Sequence, residues 1–172
     1  MKTRKTIEIE KALYEYSGAH KVGTYGCFEC TLGNGYGNER IDFITMDTGG
    51  LFKCYEIKVS KADFLSKAKL SFYGDYNYLV IPEELYEEIK DSERFTHYLW
   101  LGIGIIFYSS KNGKGQGTLS SVRNAKKKQV PIYKKVELMA GMVRSLSRFC
   151  YITPEKEGKT LNLIEDKSGK NK

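Results

Sequence analysis

The sequence predicts one α/β domain, a central mixed β-sheet that carries an antiparallel hairpin and is flanked by helices. Three observations lead there. Two strand-like runs, "ERIDFITM" and "LFKCYEIKV", are separated by the tetrapeptide "DTGG", whose composition suits a tight antiparallel turn. A capped helix and then an apolar strand follow directly, the order expected of a sheet covered by helices. The length of 172 residues, with 41% hydrophobic side chains, suffices for one full core and falls short of two ordinary domains.

The elements follow in chain order. Ile7 to Tyr16 reads as a first helix, with Ile9, Leu13 and Tyr16 on one stripe. "YGCFECTL" reads as a strand, and "GNGYGN" as a glycine-rich loop. That loop bears a superficial likeness to a dinucleotide fingerprint, which should however open a helix, whereas here a second strand follows. After the hairpin, Ser60 as N-cap and Asp63 three residues later form a capping box that opens the helix "KADFLSKAKLSFY". "YNYLVI" is a buried strand closed by Pro82, and "EELYEEI" a short acidic helix. "YLWLGIGIIFYSS" reads as another buried strand, "KNGKGQGT" as a flexible loop without the phosphate-loop pattern, and "TLSSV" as a short edge strand. Residues 136–151 form a final amphipathic helix with Leu138, Met142, Leu146 and Phe149 on its core side. A single domain over 1–152 is expected, followed by a polar tail over 153–172.

Several classes drop out on composition. Aromatic residues at 13% and charged residues at 28% are ordinary globular values, far from disordered, collagen-like or disulfide-scaffold chains. The longest apolar run, "YLWLGIGIIFY", has 11 residues, against the roughly 20 needed to span a bilayer. The amino-terminal "MKTRKTIEIEKALYEY" has no apolar core of a secretory signal, so no membrane association and a cytoplasmic location are expected. In a reduced compartment Cys27, Cys30, Cys54 and Cys150 need no disulfides. Cys27 and Cys30 have the spacing of a metal pair. In a regular strand, residues three apart leave opposite faces, which argues against zinc.

Charge is distributed unevenly. From Arg94 to Val136 there is no Asp or Glu, while Arg94, Lys111, Lys114, Arg123, Lys126, Lys127, Lys128, Lys134 and Lys135 supply nine positive charges. The rest of the chain holds 19 positive charges against 21 negative. Such a one-sided block fits a polyanion, because phosphate neutralisation releases counterions without requiring base contacts. A solvated basic face is the alternative reading.

The chemistry concentrates in "YEIKVS". Glu56 and Lys58 are two apart on a strand and leave one face, while Tyr55, Ile57 and Val59 leave the other. With Thr48 to Gly50 as a three-residue loop, Asp47 opposes Leu51 and Asp42 opposes Glu56 on the same face. Two carboxylates so placed repel each other unless a cation lies between them. Oxygen donors favour Mg²⁺ or Mn²⁺ over zinc. A lysine beside such an ion can orient water or counter charge on a phosphorane-like transition state. Asp42, Glu56 and Lys58 therefore form a metal-dependent phosphodiesterase pattern, although Glu-x-Lys alone also fits a surface strand with a cross-strand ion pair.

The run "RIDFITMDTGGLFKCYEIKVSKADF" followed by "KLSFYGDYNYLVIPEEL" resembles the PD-(D/E)XK nuclease superfamily, and within it the MmcB-like DNA repair endonucleases. The resemblance rests on Arg40 and Asp42, the run Glu56 to Ser60, Asp63, Lys69, Tyr73, Asp75 and the aromatic strand ending at Pro82. "GIGII" and the late helix ending in "SRFC" continue it, over most of 23–149. It implies a restriction-endonuclease-like core and a Mg²⁺-dependent (or Mn²⁺-dependent) endodeoxyribonuclease that hydrolyses backbone phosphodiesters. DNA repair, recombination or the processing of phage and mobile-element DNA would be its setting. Asp42, Glu56 and the carbonyl of Ile57 would hold the metal, and Lys58 would be the catalytic lysine. Glu29 stands where the family's first strand often has an acidic residue and would be a further ligand. Arg40 would brace Glu56 or touch phosphate, and Ser60, Arg123, Lys126, Lys127 and Lys128 would contact DNA. The resemblance also admits a homodimer, the arrangement common among nucleases that cut both strands. The competing class is a basic nucleic-acid-binding module of the same fold that does not cut.

Overall fold

A computed structural model describes residues 2–33, 39–66, 71–110 and 117–149. Most of the loops expected at "GNGYGN" and "KNGKGQGT", Lys69 and the tail over 153–172 lie outside these residues. In chain order the elements are α1 (Arg4–Tyr16), β1 (Thr24–Thr31), β2 (Arg40–Asp47), β3 (Phe52–Ile57), α2 (Lys61–Leu65), β4 (Tyr76–Pro82), α3 (Glu83–Ile89), α4 (Glu93–Trp100), β5 (Gly104–Ser109), β6 (Thr118–Arg123) and α5 (Ile132–Phe149).

The strands form one six-stranded sheet in sequence order. Neighbours β1, β2 and β3 run antiparallel, β3, β4 and β5 parallel, and β6 returns antiparallel to β5. The chain is therefore a mixed sheet flanked by helices, with the β2–β3 hairpin as its antiparallel centre. Its turn closes with Gly50 N–H donating to the Asp47 carbonyl at 3.0 Å, Gly50 lying at φ 70°, a conformation glycine adopts without steric cost. The loop length sets the parity. Met46 faces Phe52 and Phe43 faces Tyr55, so the next position outward pairs Asp42 with Glu56.

Alternation then sorts the core onto two faces. Phe43, Tyr55, Ile57, Val80 and Ile106 pack under Ile9, Ala12 and Leu13 of α1. The other face is shared by two groups of helices. Ile44, Phe52 and Cys54 pack against Leu138 and Met142 of α5. Leu79, Ile81 and Ile105 pack against Phe64 of α2, Leu85 and Ile89 of α3 and Phe95 of α4. Glu56, two residues beyond Cys54, leaves on this second face, where the two helix groups meet.

Four local expectations need correction. The helix after Ser60 spans only Lys61–Leu65, although its cap is as expected, Ser60 Oγ accepting from Asp63 N–H at 3.2 Å. Arg94 Nη1 takes the carbonyls of Phe64 (2.7 Å) and Ser66 (2.8 Å) at its end, and Ser71 to Tyr73 are not helical. The apolar run beginning at Tyr98 is not all strand. Ser92 caps a helix that consumes Tyr98 to Trp100, and Gly102 at φ 78° turns the chain into β5. The last helix starts at Ile132, and its buried line passes through Leu138, Met142 and Ser145, leaving Leu146 40% exposed. Ser145 replaces the expected apolar residue because its Oγ accepts the Thr31 N–H at 3.1 Å, which ties α5 to β1.

The fourth correction concerns Cys27 and Cys30, which lie together in the α5-facing core with Cys54 rather than on opposite faces. Glu29 between them has φ 52°, the one non-glycine residue with positive φ among the described residues, and this left-handed step reverses the alternation. All three thiols are buried, and burial pushes the Cys54 thiol up to about 12. Such thiols behave as small core hydrophobes.

Candidate active site

Asp42 on β2 and Glu56 on β3 face each other across the hairpin near its open end. Asp42 Oδ2 accepts the Ile57 N–H at 2.9 Å, and Glu56 Oε1 accepts the Ser71 N–H at 3.1 Å. Glu56 is only 3% exposed. Burial and then the neighbouring Asp42 charge push its pKa up to about 8, against the smaller opposing effects of the Ser71 N–H and Lys58. Burial likewise raises Asp42 above its ordinary value, despite the Ile57 N–H and the charges of Lys58 and Arg40. The two behave as a dyad that holds a proton near neutral pH, as expected of carboxylates within hydrogen-bonding reach of each other.

Lys58 follows on the same face, 7% exposed. Its Nζ donates to Asp63 Oδ1 at 3.3 Å, while Asp63 Oδ2 accepts the Val59 N–H at 3.4 Å. The capping box thus has a second role. By fixing the first turn of α2, Ser60 sets the carboxylate that orients the Lys58 ammonium. Ser60 itself is exposed beside this turn.

Glu29 falls between the pairs Phe28–Phe43 and Cys30–Ile41, hence beside Asp42. Its carboxylate binds Lys2 Nζ at 2.8 Å and Arg40 Nη1 at 2.7 Å. Burial works against ionisation there, but Lys2 and Arg40 outweigh it and hold the Glu29 carboxyl below its usual value. Lys2 also reaches Glu10 Oε1 at 2.5 Å, which ties the start of α1 to this edge. Arg40 pairs with Glu29 rather than bracing Glu56, and its backbone carbonyl accepts from Ser71 Oγ at 3.4 Å.

Two of the further residues named from the sequence, Asp75 and Tyr73, lie in the segment before β4. Asp75 Oδ2 accepts the Phe52 N–H at 2.8 Å and pairs with Lys135 at 3.1 Å. Tyr73 donates to Glu39, with Lys134 Nζ 4.2 Å from its ring centroid. Both hold the segment that leads into β4.

The basic run is not gathered around the dyad. Lys128 N–H donates to the Asp75 carbonyl at 2.7 Å, at the level of Phe52. Phe52 lies four residues before Glu56, which is about 13 Å along a strand. Arg123 opposite Ile105 is level with Glu56 but three strands away, about 14 Å across the sheet. Its Nη2 caps α4 at the Leu99 carbonyl at 2.9 Å, and the Lys126 N–H is bound to the Gly102 carbonyl at 2.8 Å. Lys127 is exposed.

Sequence reasoning missed Lys2, Ser71 and Tyr98. Tyr98 on α4 stands edge-on to Phe64 and Phe72, with ring centroids 6.0 and 5.6 Å apart. Burial raises its phenol above the ordinary value, with Arg94 opposing and the Glu56 charge adding to the rise, which puts it within electrostatic reach of the dyad. The cap at Ser92 was the sequence signal that could have placed it on a helix. Lys2 had none, being an isolated lysine outside any pattern.

The donor set suits a hard divalent cation: two carboxylates pressed together, one of them driven by burial and by the other's charge to hold a proton. Among the described residues no group of three or more His, Cys, Asp or Glu is arranged to hold a metal, so a third donor would be backbone oxygen or water. Nor is any helix among them long and apolar enough to cross a membrane.

No protein-family model matches the chain, and no curated protein does. Among solved structures, the SPO1766 protein of unknown function from Silicibacter pomeroyi is similar, with a TM-score of 0.62 at 16% identity over 99% of this chain and 98% of that one. At that identity the likeness shows a shared α/β fold, a mixed sheet flanked by helices.

Proposed function

We propose that the chain is a metal-dependent DNA endonuclease with a restriction-endonuclease-like core. The observation that carries this reading is the Asp42–Glu56 dyad with Lys58 beside it on one hairpin: acids forced together in a buried place, next to an oriented ammonium. An ordinary cross-strand ion pair would set a base, not a second acid, opposite the buried Glu56.

Asp42, Glu56 and the Ile57 carbonyl would hold Mg²⁺ or Mn²⁺. When bound, the ion would supply Lewis acidity toward a phosphate oxygen and lower the pKa of water. Ser71 and the Ile57 N–H keep the two carboxylates in place before any ligand arrives. Asp63 holds the Lys58 ammonium at the rim of the dyad, where it would counter negative charge developing on the phosphate or orient the attacking water. Glu29, with both oxygens taken by Lys2 and Arg40, would orient water rather than join the metal's ligands. Arg40 and Ser60 would meet the flanking phosphates. The run Arg123, Lys126, Lys127 and Lys128 would touch the DNA backbone farther off, about four duplex steps away at ~3.4 Å each.

The test is a nicking assay in Mg²⁺ with the wild type, Glu56→Gln and Lys58→Met. DNA repair, recombination or mobile-element DNA processing is the setting such an enzyme would serve. Salt-sensitive DNA binding by all three proteins, without cleavage by any, would make the non-cutting binding module the better reading.

A further inference from the structure

At the end of the sheet remote from the dyad lies a cavity of about 600 Å³, lined by Leu51, Asp75, Lys127, Lys128, Val130 and Lys135, with Gln129 and Ile132 completing its wall. That volume is within the 300–1,000 Å³ range typical of small-molecule sites. Its walls are pinned from several sides. The strand-to-helix segment is tied to the sheet by the Lys126 N–H to Gly102 and the Lys128 N–H to Asp75. Lys135 Nζ reaches the Gly50 carbonyl at 2.8 Å, joining the first turns of α5 to the hairpin.

The charge of the cavity is unbalanced. Its one carboxylate, Asp75, is 2% exposed and already engaged by Lys135 at 3.1 Å and by the Phe52 N–H. Lys127 and Lys128 have no carboxylate partner among the described residues. Lys128 is half-buried, and burial lowers its pKa. Two lysines lining one cavity without a carboxylate partner suit a dianion, and a phosphate monoester carries close to two negative charges at neutral pH. The remaining wall is not that of a bare phosphate site. Leu51, Val130 and Ile132 offer apolar surface for a flat organic group, and the Gln129 amide can both donate and accept.

We propose that this cavity binds the phosphate of a nucleotide, with Lys127 and Lys128 on the phosphate and the apolar wall against the attached nucleoside. The nucleotide is either free or the terminal one of a DNA strand. The site is separate from the dyad and stands whether or not the dyad cleaves DNA.

Calorimetric titration in EDTA with ADP, and with pyrophosphate as the phosphate-only probe, tests it on the full chain. ADP should bind the wild type more tightly than pyrophosphate does. Lys127→Gln/Lys128→Gln should weaken ADP binding by about tenfold or more, the reduction expected when two charge-assisted hydrogen bonds are removed, with an unchanged melting temperature to show that the fold is intact. Glu56→Gln should bind ADP like the wild type. Displacement of ADP by a 5′-phosphorylated oligonucleotide, and not by its 5′-hydroxyl form, identifies the source as a strand end. Displacement by neither identifies a free nucleotide. No binding of ADP or pyrophosphate at millimolar concentration, or equal ADP affinity in the wild type and the folded double variant, overturns the proposal.

Discussion

Glu56 is the residue on which the most physics converges. A carboxyl whose folded pKa is about 8, against an ordinary 4.5, favours the protonated fold. The stability tied to that proton is complete below 4.5 and is lost as pH rises through 8. In metal-free protein, raising the pH through this window should therefore lower the stability by on the order of a few kcal/mol. Thermal melts in EDTA should show the melting temperature falling on the alkaline side, and Glu56→Gln should remove most of that slope. Mg²⁺ should restore the loss in the wild type at the alkaline end and leave Glu56→Gln unmoved. A slope that survives in Glu56→Gln would assign it to another group. Glu29, beside Asp42 on the neighbouring strand, shows the opposite electrostatics: two cations keep it ionised, so one end of the sheet holds both a proton-retaining and a proton-releasing acid.

At the scale of elements, the entry into β4 decides where Asp75 and the strand beside β3 sit. Asn77 is fully buried, its Oδ1 accepting the Gly74 N–H at 2.8 Å and its Nδ2 donating to the Gly74 carbonyl at 2.9 Å. Asn77→Ala leaves both backbone groups unpaired in the core and should cost about 2–4 kcal/mol in urea unfolding. A loss below about 0.5 kcal/mol would mean that water replaces the amide. The hairpin that carries the dyad was legible because a three-residue loop fixes strand parity, and parity alone decides whether Asp42 meets Glu56. The α4–β5 boundary was not. An apolar run such as "YLWLGIGIIFY" fits a buried helix and a buried strand equally by hydrophobicity, and only Ser92 and Gly102 divide it. The meeting of Cys27 and Cys30 was hidden for a different reason. The left-handed step falls on Glu29, where no glycine announces it. The tertiary partners Lys2, Ser71 and Tyr98 come from segments remote in sequence, so no local pattern could gather them around Asp42 and Glu56.

Across the whole molecule, the acid-free block stands apart from the dyad. The dyad, Glu29 and Asp63 gather at the open end of the hairpin, while of the acid-free block between Arg94 and Val136, Lys127, Lys128 and Lys135 line the cavity at the other end of the sheet and Arg123 lies on its edge strand β6. A nucleic-acid strand engaged by both would run along the sheet from one end to the other rather than over one patch. Replacing Arg123, Lys126, Lys127 and Lys128 by Gln should flatten the dependence of DNA affinity on salt by roughly one logarithmic unit for each phosphate no longer neutralised. An unchanged slope would assign the run to solvent. Because Arg123 also caps α4 at the Leu99 carbonyl, a triple variant that keeps it separates weakened phosphate binding from a loosened helix.

If the buried dyad and its lysine perform phosphodiester hydrolysis, the most direct measurement is nicking of supercoiled DNA in Mg²⁺ by three proteins purified in parallel. The wild type should nick; Glu56→Gln should lose both cleavage and Mg²⁺ affinity while still binding DNA, since a neutral amide is a poor ligand for a hard cation. Lys58→Met should keep Mg²⁺ affinity and cut slower by a factor on the order of 10² or more, as expected when one transition-state interaction is removed. Identical cleavage by all three, or none by the wild type in Mg²⁺ or Mn²⁺ on linear, branched and single-stranded DNA, would contradict a hydrolytic role for Asp42, Glu56 and Lys58.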